Sequence, residues 1–304
     1  MNLPKIKNWR PLIVFANKKS GGGLGKLVID EVSSILHPLQ VHDLSTSPPQ
    51  ETLKILDALP NQQFTVLICG GDGTINWVMA AIDEIAPKVE PLIALLPLGT
   101  GNDLSRCFGW GSGYSRFDSV RSTLAALKYT DPVPLDRWKM QITETSSPKF
   151  GKKPHKIVKN LSFQNYFSIG IVAAVTYDFH RSRENEPIGI LKLSRFVNKA
   201  WWGVMGAKNR FGSGCTNLSK DIELELDGKR VVVPEGLQGI DFLNAWSWGG
   251  GTPIWRQGMV LEDGDCFGVS TREKLDYGSL SDGKIEVVGF YRTFEIKYQR
   301  IKIG

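Results

Sequence analysis

Two hydrophobic rhythms divide the chain. Through its first 111 residues, short continuous apolar runs alternate with stretches whose apolar residues recur at helical spacing. PLIVFAN (11–17), LQVHDLS, FTVLICGG and PLIALLPLG read as strands. Between them lie LGKLVIDEVSSILHPL, which should stop at Pro38, and TSPPQETLKILDAL, which opens with the Ser and Pro that helix starts prefer. TINWVMAAIDEIAP carries Ile75, Val78, Met79 and Ile82 at i, i+3, i+4 and i+7, and DLSRCFGWG follows the fourth strand. Strands that are apolar on both faces, alternating with helices, predict a parallel sheet covered on both sides. Beyond about residue 136 the period falls to two. KMQIT, DIELELDGKRVVV, GIDFLNAWSW, DCFGVST and GKIEVVGFY predict a mostly antiparallel lobe, with a hairpin turning at Asp227-Gly228. One helical insertion is expected at residues 188–205. The division predicts domains at 8–135 and 136–304, with a Ser/Pro/Gly/Lys-rich loop at 145–155.

Composition narrows the classes. A chain of 304 residues with 41% hydrophobic and 22% charged positions can bury a sizeable core in about two domains. The opening MNLPKIKNWRPLIVFAN lacks the long apolar region and small-residue cleavage site of a signal peptide. PLIALLPLG is too short to span a bilayer. Cys69, Cys107, Cys215 and Cys266 form no CxxC pair, which argues against a zinc ribbon and for reduced thiols in a cytoplasmic setting. The net charge of +6 permits a nucleotide, an anionic lipid or a nucleic acid as partner and selects none of them. The nine tryptophans do not interleave with Lys or Arg, so no base-stacking platform and no nucleic-acid partner is expected. Composition says nothing of oligomeric state.

The chemistry concentrates at strand ends. Gly70-Gly71-Asp72-Gly73-Thr74 closes the third strand and opens a helix, where glycines admit phosphate oxygens and the helix N-terminus offers unpaired N–H groups. Thr74 adds a hydroxyl. Asp72 adds a carboxylate suited to a Mg²⁺ contact or to a base. The alternative is a tight turn with an aspartate N-cap. Leu98-Gly99-Thr100-Gly101-Asn102-Asp103 occupies the equivalent place after the fourth strand, where Asn102 or Asp103 could again be a plain cap. Two such loops at neighbouring strand ends strengthen each other. A third loop, from Asn17 through Ser20 to Lys26, fails the P-loop spacing: Ser20 stands where the first glycine belongs, and Leu27 where Ser or Thr belongs. It fails the dinucleotide fingerprint as well, so it reads as a nucleotide-facing loop of another kind or a flexible turn.

These segments together (VLICGGDGTINWV, LPLGTGNDLSR, LDRW, FSIG, FHRSREN, LNAWSWGGGTPIW and SDGKIEVVGFY) closely resemble the catalytic and accessory domains of eukaryotic diacylglycerol kinases, nearest to the epsilon type. GGDGT and GTGND are shared with the wider lipid kinase group; LDRW and SWGGGTPIW narrow it. The resemblance implies a phosphofructokinase-like α/β lobe with a parallel sheet, then a mostly antiparallel β-sandwich lobe, with ATP and Mg²⁺ in the cleft between. It implies that Asn17 and Ser20 face the nucleotide and that Gly70, Gly71, Gly73 and Thr74 hold its phosphates. Gly99, Thr100, Asn102 and Asp103 would complete the pocket, and Asp72 would be the residue on which activity depends. Asp282, in Ser281-Asp282-Gly283-Lys284, matches a structural Mg²⁺ segment of bacterial relatives, although spacing alone favours a β-turn; Asp276 is a weaker candidate still. The implied reaction phosphorylates 1,2-diacylglycerol, at a membrane with an anionic surface, to phosphatidate.

Two positions depart from the family pattern. Gly170-Ile171-Val172-Ala173 stands where Gly-x-Asp-Ala is usual, so the carboxylate expected at Val172 is missing. The sequence also stops at Ile303-Gly304, before the Asp-Gly-Glu-Pro segment that carries the proposed base of bacterial relatives. The expectation is therefore either that Asp72 suffices, or that the chain is truncated or inactive. The alternatives to a diacylglycerol kinase are a catalytically impaired lipid- or nucleotide-binding relative and a sphingoid or ceramide kinase. The insertion at 188–205 carries Lys192, Arg195 and Lys199 among apolar residues, and reads either as a membrane-facing helix or as one packed on its own lobe.

Overall fold

The structure, a computed structural model, describes residues 10–144, 156–185, 217–254, 279–291 and 298–300. In the first lobe, β1 (Leu12–Ala16), β2 (Val41–Asp43), β3 (Thr65–Gly70) and β4 (Leu92–Pro97) form one sheet in the order β2-β1-β3-β4, every pair parallel. Its helices are α1 (Leu24–Ser33), α2 (Pro49–Leu53), α3 (Ile55–Ala58), α4 (Asp72–Ile85), α5 (Asp103–Cys107) and α6 (Val120–Ala126). Because side chains alternate along a strand, each continuous apolar run feeds two cores. Ile13, Phe15, Val66 and Ile68 face Ile75, Val78, Met79 and Ile82 of α4. Val14, Ala16, Leu67 and Cys69 face Val28 and Val32 of α1 and Val120 of α6. The strand order reverses between β1 and β3, and the crevice at such a reversal is where open α/β sheets hold ligands.

Two helices are shorter than their patterns suggest. α1 ends at Ser33, where the Ser34 hydroxyl donates to the Glu31 carbonyl at 2.7 Å and competes with the helical ladder. The expected 46–59 helix is divided at Lys54 into α2 and α3.

The second lobe is antiparallel throughout its described strands. β5 (Trp138–Glu144) pairs with β6 (Lys156–Phe163). β7 (Tyr166–Gly170), β10 (Gly239–Leu243), β11 (Glu286–Phe290) and β12 (Tyr298–Arg300) form a sheet in the order β12-β11-β10-β7. The expected hairpin is β8 (Leu224–Leu226) and β9 (Lys229–Val231), turning through Asp227 at φ 50° and Gly228 at φ 75°, both in the left-handed region that a type I′ turn requires. Several expectations fall outside the described residues: the insertion at 188–205 with Lys192, Arg195 and Lys199, the loop at 145–155, DCFGVST, Cys215, Cys266, Asp276 and Trp255. Cys69 and Cys107 are free thiols.

Two helices went unread, α6 (Val120–Ala126) and the helix that follows β7. α7 (Ile171–Asn185) leaves β7 directly and buries Ile171, Val172 and Val175 against Leu243, Trp248, Ile254 and Phe290. Val172, where relatives are expected to carry a carboxylate, is only 6% exposed and lies in this apolar cluster. Close by, Asp241 on β10 is fully buried and accepts a 2.6 Å hydrogen bond from the Trp248 indole. Burial pushes its carboxyl up to about 7, against the Ser168 hydroxyl and the Trp248 indole, which favour the charged form. A carboxyl raised in the folded state binds its proton more tightly there than in the unfolded chain. Stability should therefore fall as pH rises from about 4 to about 7, then level off. Asp241→Asn keeps the acceptor for Trp248 without the charge. It is expected to melt about 4 °C above wild type at pH 8, with the gap closing toward pH 5. A pH-independent difference in thermal denaturation would contradict this.

Candidate active site

Three glycine loops meet at the carboxyl ends of β1, β3 and β4. The closest approach is backbone on backbone. A methyl group on Gly99 would lie 2.6 Å from Gly71 Cα and 2.8 Å from Asn102 Oδ1, and one on Gly71 would lie 2.9 Å from Gly99 Cα. A methyl on Gly21 would meet the Leu98 carbonyl at 2.7 Å, which ties in the first loop. There, Asn17 Oδ1 accepts the Lys19 amide at 2.9 Å and the Asn17 carbonyl accepts the Ser20 amide at 2.9 Å, leaving both residues half-buried at the end of β1. Gly73 is exposed, and a methyl there would meet nothing within 4 Å. Gly99→Ala is accordingly expected to lower the melting temperature by more than about 5 °C, whereas Gly73→Ala should stay within about 2 °C of wild type. Equal melting of the two variants would refute this packing argument.

α4 starts at Asp72, with Gly71 as an N-cap that supplies no side-chain bond. Its leading amides therefore point out of the helix end beside Gly70 and Thr74, where an anion gains from both the free donors and the helix dipole. Asp72 does not cap its own helix. Its Oδ2 accepts the Asp103 amide at 3.1 Å and its Oδ1 accepts the Leu104 amide at 3.1 Å, so it caps α5 instead. Asn165, in the turn between β6 and β7, donates a third bond to Oδ1 at 2.8 Å.

The GTGND loop is closed by its own residues. Asn102 is buried at φ 53°, and its amide donates to the Gly99 carbonyl at 2.8 Å and the Ser112 carbonyl at 2.9 Å. Thr100 and Gly101 stay half-buried. Asp103 is 2% exposed and reaches across to the second lobe. Its Oδ1 accepts from the Ser247 hydroxyl at 2.6 Å, the Gly250 amide at 3.0 Å and the Gly251 amide at 3.1 Å; the Tyr166 hydroxyl reaches Oδ2 at 3.3 Å. Burial raises its carboxyl above the ordinary value; the Ser247 hydroxyl opposes this and the neighbouring charge of Asp72 adds to it. A methyl on Gly101 would lie 3.2 Å from Asp103 Oδ2 and 3.3 Å from Asp72 Oδ2, so the two carboxylates border one space.

Asp282 lies elsewhere, exposed on a turn where its Oδ1 accepts the Lys284 amide at 3.0 Å. The next amide, Gly283, donates to Asp136 at 2.6 Å. Among the described residues no group of three or more His, Cys, Asp or Glu side chains is placed to hold a metal ion.

Residues outside the glycine motifs assemble this geometry. In LDRW, Arg137 donates to the Met79 carbonyl at 3.0 Å and pairs with Asp83 on α4, while Trp138 donates to Asn244 at 3.0 Å. Asn244 in turn donates to the Asp136 carbonyl at 3.1 Å and the Gln164 carbonyl at 2.8 Å. LDRW thus clasps α4 to the second lobe. Asn165, Tyr166 and Ser247 were not singled out from the sequence. The signal available was that Ser247 lies within LNAWSWGGGTPIW and that Asn165 and Tyr166 directly precede FSIG, two segments that mark the resemblance.

The diacylglycerol kinase catalytic domain matches residues 11–131 and the diacylglycerol kinase accessory domain matches residues 162–304. Diacylglycerol kinase 2 of Arabidopsis thaliana is 38% identical over 91% of this chain and 39% of its own length. Diacylglycerol kinase theta of Mus musculus is 36% identical over 92% of this chain and 28% of its own length. The chain thus spans well under half of either relative. Among solved structures, a candidate diacylglycerol kinase from Bacillus anthracis str. Sterne superposes with a TM-score of 0.52 at 14% identity, covering 94% of this chain and 76% of that one, and shares the fold. The epsilon type stays an expectation from the motifs. Carrying both domains, the chain belongs to the diacylglycerol kinase family.

Proposed function

We propose that this chain transfers the γ-phosphoryl group of ATP, presented with Mg²⁺, to the free primary hydroxyl of 1,2-diacylglycerol, giving phosphatidate and ADP. One observation carries the reading: two glycine loops in backbone contact at neighbouring strand ends, with an aspartate carboxylate at the start of the helix that follows the first of them. The backbone contact keeps side chains out of the floor on which phosphates would lie, and the α4 N-terminus supplies donors to them. Asn17 and Ser20 would form the β1 wall of the nucleotide site, and Thr74 and Thr100 would add hydroxyl donors. Asn102 and Asp103 support the pocket from beneath.

The donor set fits Mg²⁺, because the Oδ2 atoms of Asp72 and Asp103 are hard oxygens bordering one space above Gly101. These two would hold the ion, which when bound neutralises phosphate charge. Asp72 Oδ1 is engaged by Leu104 and Asn165, while Oδ2 accepts a single described amide, so Oδ2 is the working atom of Asp72. Asp282 supplies one exposed carboxylate and is a weaker match for a metal. The division at 135/136 belongs to the same reading, as does peripheral attachment to the anionic, cytoplasmic face of a membrane, which the +6 charge would favour. No helix among the described residues is long and apolar enough to cross a membrane.

The test is product analysis with ATP, Mg²⁺ and mixed micelles of diacylglycerol, sphingosine or ceramide, repeated on vesicles with and without phosphatidylserine. Phosphatidate from diacylglycerol alone is expected, faster on the anionic vesicles. A phosphorylated sphingoid or ceramide would move the substrate. No product with ATP still bound would make the chain a non-catalytic relative.

A further inference from the structure

We propose that Asn165 is a positioning residue, through which the second lobe fixes the rotamer of Asp72; the role in turnover rests on the kinase reading above. Asn165 sits in a turn nailed to the end of β10. Its carbonyl accepts the amides of Asn244 and Ala245, both at 2.9 Å, and the carbonyl of the preceding Gln164 accepts the Asn244 side chain at 2.8 Å. Its side-chain amide then crosses the seam and donates to Asp72 Oδ1 at 2.8 Å. A carboxylate offers no proton, so Nδ2 must be the atom facing it. Asn165 Oδ1 is buried and has no partner among the described residues. Among the described residues, Asp72 is the one hydrogen-bond partner of this side-chain amide.

The consequence is a division of labour within one carboxylate. Leu104 and Asn165 occupy Oδ1, from the first and second lobe respectively. Oδ2, with one amide from Asp103, is left over the Gly101 space that Asp103 Oδ2 also borders. Without Asn165 the described partners left on the carboxylate are the two α5 amides, both from its own lobe, and its direction no longer follows the docking of the lobes. A displacement of about 1 Å at such a group lowers turnover by roughly 100-fold.

Asn165→Asp discriminates, because it preserves shape and turns the donor into a second carboxylate. Asn165→Ala removes the donor outright and serves as the companion should the aspartate variant fold poorly. In the full chain both are expected to lower kcat for phosphatidate formation by about 100-fold while KM for ATP stays within about twofold. Asn165→Asp is expected to be at least as damaging as Asn165→Ala. A packing role predicts the reverse order, and that order, or an unchanged kcat, overturns the proposal. Thermal melting gives a readout that needs no activity. The melting penalty of Asn165→Asp should shrink when Asp72→Asn is also present, because an amide then faces the new carboxylate; equal penalties in both backgrounds overturn the contact. If wild type forms no phosphatidate while this coupling holds, the kinase reading fails and the role in turnover fails with it, leaving only the lobe-to-lobe contact.

Discussion

Asp72→Ala is expected to lower phosphatidate formation by at least about 10³-fold, some 4 kcal/mol of transition-state stabilisation. Two losses combine in that variant. The carboxylate beside the α4 N-terminus disappears from the space above Gly101, and the amides of Asp103 and Leu104 lose their acceptor. The second loss resembles removal of a helix cap and should cost about 1 kcal/mol of stability. Asp72→Asn separates the two: it keeps an oxygen acceptor and the side-chain volume while removing the charge, so its melting should fall less than that of the alanine variant while its turnover falls nearly as far. The measurements are phosphatidate release from diacylglycerol micelles and thermal denaturation. Turnover of Asp72→Ala near the wild-type rate would remove Asp72 from the active site.

The largest effect on stability is expected at Asp103. Its carboxylate collects the Ser247 hydroxyl and the amides of Gly250 and Gly251 from the second lobe; Asp103, Ser247 and Gly250 are buried and Gly251 is half-buried. Truncation to alanine leaves the Ser247 and Gly250 donors buried without this acceptor, and losses of this kind cost about 3–5 kcal/mol. The expected melting temperature is lower by roughly 10 °C. Since the lost bonds run between lobes, calorimetry should resolve two transitions where wild type gives one. A single transition at the wild-type temperature would show that Asp103 does not couple the lobes. Activity should fall as well, because the Asp103 amide is one of the donors to Asp72.

What could be read from the sequence was local. The continuous apolar runs of β1, β3 and β4, the 3.6-residue period of α4 and the Asp-Gly turn of the β8–β9 hairpin each express a physical rule inside a short window. All three appear in the structure. The glycine loops could be located for the same reason, since a glycine cluster between strand and helix marks its own position. α7 escaped because Ile171, Val172 and Val175 are β-branched, which suited continuation of the preceding strand as well as a buried helix face. The bonds that aim the carboxylates were not legible at all. Asn165 meets Asp72 across 93 positions, Ser247 meets Asp103 across 144 and Gly250 meets Asp103 across 147. No pattern within a window of a dozen residues encodes such pairs. The sequence reading therefore named Asp103 as a pocket residue without the bonds from Ser247, Gly250 and Gly251 by which its side chain also joins the lobes.

The backbone contact between Gly71 and Gly99 also limits how this sequence can drift. Most packing faults can be relieved by trimming the neighbour, so that a larger residue at one site is matched by a smaller one at the other. Here each neighbour is already glycine, with Cα of one facing the missing side chain of the other. Neither position has anything left to trim. A change at one cannot be rescued by its partner, and relief would have to come from moving a strand end, which would shift the whole loop.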